Sequence, residues 1–118
     1  MINDSQVIAQ LAVEAAESKK AMDITVLNIG RVSIVADYFI ICSSRSPVHA
    51  RAIADAVEER LQQHGYNKHH VEGFRAGRWI LLDYGAVVIH IFHEEERAFY
   101  NLERLWGDAP VVETPLSL

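Results

Sequence analysis

The segment Trp79-Ile80-Leu81-Leu82-Asp83-Tyr84-Gly85-Ala86-Val87-Val88-Ile89-His90-Ile91-Phe92 constrains the fold more than any other part of the chain. Two β-branched and aromatic runs flank a Gly-containing break, which is the pattern of a β-hairpin. With Tyr84-Gly85 as the turn, Asp83 faces Ala86, Leu81 faces Val88 and Trp79 faces His90. Strand side chains alternate between faces, so Ile80, Leu82, Val87, Ile89 and Ile91 share one wholly aliphatic face that must be core. The opposite face carries Trp79, Leu81, Asp83, Val88, His90 and Phe92. A carboxylate and an imidazole are costly in a dry core unless paired. That face is therefore either a second core covered by a helix or a docking surface of aromatic anchors with a few polar groups.

Around the hairpin the pattern alternates between helix and strand. Residues 4–20 place Val7, Ile8, Leu11, Ala12 and Ala15 at helical spacing. Asp23–Ile29 and Tyr38–Cys42 read as strands, the second apolar enough to be buried on both faces. Ser46 before Pro47 is an N-cap followed by proline at the first helical position, and the helix presents Ala50, Ile53, Ala54, Val57 and Leu61 on one face before Gly65 ends it. A strand is expected over His70–Phe74. A last helix is expected from Glu94-Glu95-Glu96 to Trp106, with Phe99, Leu102 and Trp106 on one stripe and Arg97, Tyr100 and Arg104 on another. The sum is a single small α/β domain over residues 1–108, a mixed sheet of about five strands with flanking helices. Residues 109–118, with Pro110 and Pro115, are expected to form a flexible tail.

Composition narrows the function classes. The chain has 118 residues, with 11 Lys and Arg against 16 Asp and Glu, a formal charge of −5. That balance argues against holding nucleic acid by phosphate neutralisation and is compatible with a basic protein partner. The single cysteine, Cys42, excludes an internal disulfide and reads as a small core residue. No run has the length of a membrane helix and the N-terminus lacks a signal pattern, so a cytoplasmic protein without membrane contact is expected. His69 and His70 adjoin on a strand and point apart, while His90, His93 and Glu94 straddle an element boundary, so no metal is expected. Ser43, Ser44 and Ser46 lack the glycines of a phosphate loop or nucleophile elbow, which leaves helix capping as their account. No catalytic residue and no cofactor are expected.

Five motifs, in order, resemble the ribosomal silencing factor (Iojap-like) family: Asp37-Tyr38-Phe39-Ile40-Ile41-Cys42-Ser43, Glu72-Gly73, Trp79 to Gly85, Val88 to Phe92, and Arg97-Ala98-Phe99-Tyr100-Asn101-Leu102-Glu103-Arg104-Leu105-Trp106. The helix Ala52–Glu58 resembles it as well, and the match spans about residues 5–108. The resemblance implies a nucleotidyltransferase-like fold without nucleotidyl transfer. It implies binding to the large ribosomal subunit through ribosomal protein fourteen, with steric exclusion of the small subunit and lower translation when nutrients are scarce. It also implies a homodimer off the ribosome, on a surface overlapping the docking face. Carried onto this chain, the partner-binding residues are Trp79, Leu81, Asp83, Tyr84, His90, Phe92, Arg97, Tyr100, Glu103 and Trp106, with Asp83 and Glu103 pairing basic groups of the partner. Arg97 and Arg104 leave room for minor ribosomal RNA contacts. Ala86, where many relatives carry an acid, and Arg45, where a smaller residue is common, bear on affinity. The competing readings are a reduced nucleotidyltransferase using Asp37, Asp83 and magnesium, and a plain dimerisation module.

Overall fold

A computed structural model describes residues 4–113. In chain order the elements are α1 (Asp4–Ser18), β1 (Met22–Asn28), a 3-10 turn (Ile29–Arg31), β2 (Tyr38–Ser44), α2 (Pro47–Gln63), β3 (His70–Glu72), β4 (Trp79–Asp83), β5 (Val87–His93), α3 (Glu94–Tyr100), α4 (Leu102–Leu105) and β6 (Val111–Val112). The six strands form one mixed sheet in the order β3-β4-β5-β2-β1-β6. Only β2 and β5 run parallel as neighbours, Tyr38 opposite Val87 through Ser44 opposite His93, and every other neighbouring pair is antiparallel.

Period-2 alternation assigns the two faces. Val26, Ile40, Cys42, Ile80, Leu82, Val87, Ile89 and Ile91 meet α1 and α2 on one side. Ala9, Ala12 and Ala16 of α1 and Ala50 and Ala54 of α2 are fully buried there, small enough for the helices to lie close to each other and to the sheet. The other face carries Leu27, Ile29, Phe39, Ile41 and Phe92 under Leu102 and Ala109. The capping expected for α2 is present: Ser46 Oγ accepts from the His49 backbone N–H at 3.1 Å. Cys42 is buried, and burial pushes its thiol up to about 12, so it stays protonated.

Four expectations change. The hairpin turn is Gly85-Ala86, with the Tyr84 N–H donating to the Val87 carbonyl at 2.9 Å. Trp79 therefore faces Phe92, Leu81 faces His90 and Asp83 faces Val88. Gly85 takes φ +79°, the first position of a Gly-X two-residue turn, and the Asp83 carboxylate accepts its N–H at 2.7 Å. The partner register moves by two residues, so every side chain keeps its expected face. Second, β3 stops at Glu72, because Gly73 turns the chain at φ +75°.

Third, the helix expected from Glu94 to Trp106 is broken at Asn101, which adopts φ +48° and then caps α4. Asparagine tolerates the left-handed region and accepts a capping bond, here from the Arg104 N–H at 3.4 Å. The break separates the expected stripe: Leu102 is buried while Phe99 is 80% exposed. Fourth, residues 109–113 are tied into the fold. Ala109 is buried, the Asn28 N–H donates to the Pro110 carbonyl at 2.8 Å, and Val111 and Val112 pair with Leu27 and Val26 as a sixth strand. A proline just ahead of an edge strand withdraws no ladder donor. Residues 114–118 of the expected tail lie outside the described residues.

Gly73 is a test of how the hairpin is held. A Cβ there would run into the Trp79 carbonyl oxygen, in a conformation that already disfavours side chains. Gly73→Ala is expected to cost about 2 kcal/mol or more, lowering Tm by roughly 6 °C or more in a thermal melt. An unchanged Tm would show that the turn does not fix Trp79.

Candidate docking face

The second face of the sheet carries an aromatic cluster. Trp79 stacks on Phe92 with ring centroids 4.8 Å apart, and Tyr100 from α3 meets Trp79 at 4.7 Å. Phe39 of β2 sits edge-on to His90 at 4.8 Å and to Trp106 at 5.5 Å. Phe92 and His90 are buried beneath these rings, whereas Trp79, Leu81, Val88 and Trp106 are half-buried and Tyr100 is exposed. This face is thus covered unevenly. Its centre is a small second core, and its rim is open.

His90 belongs to the core part. Its Nδ1 accepts from Trp79 Nε1 at 3.2 Å, which requires a neutral ring with the proton on Nε2. Burial lowers its pKa from 6.5 to about 4. Nε2 is buried without a hydrogen-bond partner, so the ring serves as an aromatic slab held by Trp79.

Other expected site residues are committed within the chain. The Asp83 carboxylate holds the Gly85 N–H. Tyr84 points to the opposite side of the sheet, buried against the α1–α2 core, where burial pushes its phenol up to about 12. Glu103 pairs with Arg97 at 2.9 Å, and the Arg97 side chain is only 12% exposed. Trp79, Leu81, His90, Phe92, Tyr100 and Trp106 are thus brought together, Arg97 and Glu103 brace them, and Tyr84 is not part of the group. Asp37 lies close to the same hairpin, its N–H donating to the Ala86 carbonyl, but no group of three His, Cys, Asp or Glu among the described residues is placed to hold a metal ion.

Several exposed apolar residues escaped the sequence reading. Leu105 is 73% exposed, and Val32, Ile34 and Val35 stand out from the loop after the 3-10 turn. Val32, Leu105, Trp106 and Asp108 line one shallow cleft. Three aliphatic residues between Arg31 and Ala36, a stretch that reads as a plain connection, were the available signal. Exposed apolar residues gathered on one side mark an interaction surface more often than a solvated one.

The depressed His90 pKa has a stability consequence with a definite sign. Between pH 6.5 and about 4 the unfolded chain binds this proton and the folded chain does not. The contribution is fully present above pH 6.5 and is lost as pH falls toward 4, to a limit of roughly 3 kcal/mol. His90→Gln, which keeps an acceptor for Trp79 but does not titrate, is expected to flatten this part of a urea-denaturation pH profile. Equal slopes for the two proteins would remove His90 from the account.

Comparison with known proteins agrees with the motifs. A family model described as "Ribosomal silencing factor during starvation" matches residues 2–117. The ribosomal silencing factor of Halalkalibacterium halodurans is 46% identical, over 92% of this chain and 93% of that one. The Bacillus subtilis factor is 43% identical over 90% of each. A crystal structure of a Chromobacterium violaceum protein superposes with a TM-score of 0.86 at 32% identity, covering 89% of this chain and 88% of the other. The chain belongs to the ribosomal silencing factor family, whose members regulate translation.

Proposed function

We propose that this protein binds the large ribosomal subunit through ribosomal protein fourteen and sterically blocks joining of the small subunit, lowering translation under nutrient limitation. The observation that carries this reading, beside family membership, is the open aromatic and aliphatic rim formed by Tyr100, Phe99, Leu105 and Val32 beside Trp79 and Trp106. An apolar rim left without cover in a −5 domain suits a protein partner with a basic rim better than a bare phosphate backbone. Steric exclusion needs no chemical step and no cofactor, only occupancy of the subunit interface. Off the ribosome the same face joins two copies, so dimerisation competes with docking, and the protein acts in the cytoplasm. Asp83 and Glu103, engaged within the chain, act by shaping the face, and exposed acids such as Asp108 and Glu95 are left to meet a basic partner.

Exposed anchors test this more cleanly than buried ones, because changing them costs the fold little. Cosedimentation with purified large subunits is expected for the wild-type protein, together with inhibition of subunit joining. Phe99→Asp and Leu105→Asp are expected to lose about 2 kcal/mol of binding each, roughly thirtyfold in Kd, with little change in Tm. Wild-type sedimentation of both variants would place the docking surface elsewhere. Failure of the wild-type protein to sediment would end the proposal.

A further inference from the structure

The α3–α4 segment is fastened to the sheet chiefly by polar bonds. No side chain of α3 is buried, and α4 buries only Leu102. Apolar packing here is limited to Leu102 and the partly open rings Tyr100 and Trp106. The fastening is Arg97, whose five guanidinium N–H groups are all engaged. Nε and Nη2 donate to Glu103 Oε2 at 3.2 and 2.9 Å, Nη1 donates to the Asp23 carbonyl at 2.5 Å and to Ser43 Oγ at 3.0 Å, and Nη2 also donates to Thr25 Oγ1 at 3.1 Å. One side chain thus ties α3 to α4, β1 and β2.

The receiving side is shaped for this contact. Between Met22 and Thr25 the β1–β2 register shifts, leaving Asp23 and Ile24 opposite the single residue Cys42. Asp23 sits in this bulge at φ +51°, a left-handed conformation, and offers its carbonyl to Arg97. Bulges of this kind re-aim backbone groups and recur beside functional surfaces. At the other end of the tie, Asn101 at φ +48° lies between Arg97 and Glu103, so the pair bridges the break between the two helices.

We infer that residues 94–106 form a hinged strap latched by Arg97, and that the latched form is the one that docks. The second half rests on the proposed ribosome-docking function. The strap carries Tyr100 against Trp79 and Trp106 against Phe39, so closing it assembles the aromatic face and opening it uncovers Phe92. The latch is also made to release. Glu103 takes both Arg97 donors on one oxygen, while its Oε1 is buried with no partner. That arrangement is weaker than two parallel bonds to both oxygens and leaves an unsatisfied acceptor as a standing cost. Partner affinity then scales with the fraction of molecules whose strap is closed.

The test uses both of the chain's tryptophans, since Trp79 and Trp106 each lie under or on the strap. Arg97→Gln is expected to red-shift tryptophan emission in the free protein and to speed chymotryptic cleavage within residues 99–106. Large-subunit binding in cosedimentation is expected to weaken by about tenfold or more. Arg97→Lys, with the charge but fewer donors in a different geometry, is expected to recover only part of each signal. Wild-type emission and cleavage rate in Arg97→Gln would overturn the latch. An opened strap with wild-type affinity would overturn its link to docking. Should Arg97→Gln fail to fold, Glu103→Ala removes two of the five bonds from the half-exposed end. The same three measurements then decide, with unchanged emission and cleavage counting against the latch and unchanged affinity against the link. Absence of binding by the wild-type protein would end the docking half, while emission and cleavage still decide the latch.

Discussion

Parallel pairing of β2 with β5 is the constraint from which the rest of the architecture follows. Both strands lie inside the sheet with apolar side chains on each face: Ile40, Cys42, Ile89 and Ile91 on one, Phe39, Ile41 and Phe92 on the other. A strand pair that is apolar on both sides demands cover on both sides. The chain meets the first demand generously, with two long helices rich in buried alanine. It meets the second only in part, with a broken helix, a single buried leucine and a two-residue edge strand whose lead-in buries Ala109. The candidate docking face is the side where cover runs short.

This asymmetry explains the mixed character of the second face. A dry core would exclude a charged His90, and an open surface would not stack Phe92 under Trp79. Half-covering solves both: the imidazole stays neutral, accepts one bond from Trp79 and packs as a flat ring, and the larger rings above it remain accessible. Asp83 and Glu103, expected from the sequence to pair with a partner, also hold groups of this chain, the Gly85 N–H and Arg97. These internal bonds help set the shape of the face, and Tyr100, Phe99, Leu105 and Val32 leave apolar surface exposed there.

What was legible in the sequence was whatever depends on periodicity or on a single decisive residue pair. The alternation of the hairpin put each of its side chains on the right face even though the turn lies one residue further on, because the resulting shift in partner is even. Ser46-Pro47 fixed the start of α2, and the doubly apolar run at β2 located the centre of the sheet. Three things escaped because they are decided by context. Asn101 is as compatible with a helix as with its interruption until its carboxamide is seen capping α4. Val111 and Val112 form a strand only because β1 offers them an open edge. Arg97 looks like one charge on a helical stripe, and only the bulge at Asp23, 74 residues away, turns it into a buried tie.

On this side of the sheet charged and aromatic side chains are used differently, for a physical reason. Among the ion pairs of the described residues, two near the candidate docking face, Arg97–Glu103 and Arg78–Glu96, hold α3 and α4 in place. Their members are engaged in positioning, the Arg97 end of one pair being nearly buried and the Arg78 end of the other open to solvent. An aromatic ring behaves differently: its geometry is fixed by its strand or helix, and whatever part is not covered remains available for burial by a partner. Trp79, Tyr100 and Trp106 each keep part of their surface open while one edge is locked by Phe92, Trp79 and Phe39 respectively. Contact area that is already rigid loses little conformational entropy on binding, so it yields more affinity per ring than flexible charges of equal number. A face built in this way is finished on one side by its own strap and on the other by whatever it meets.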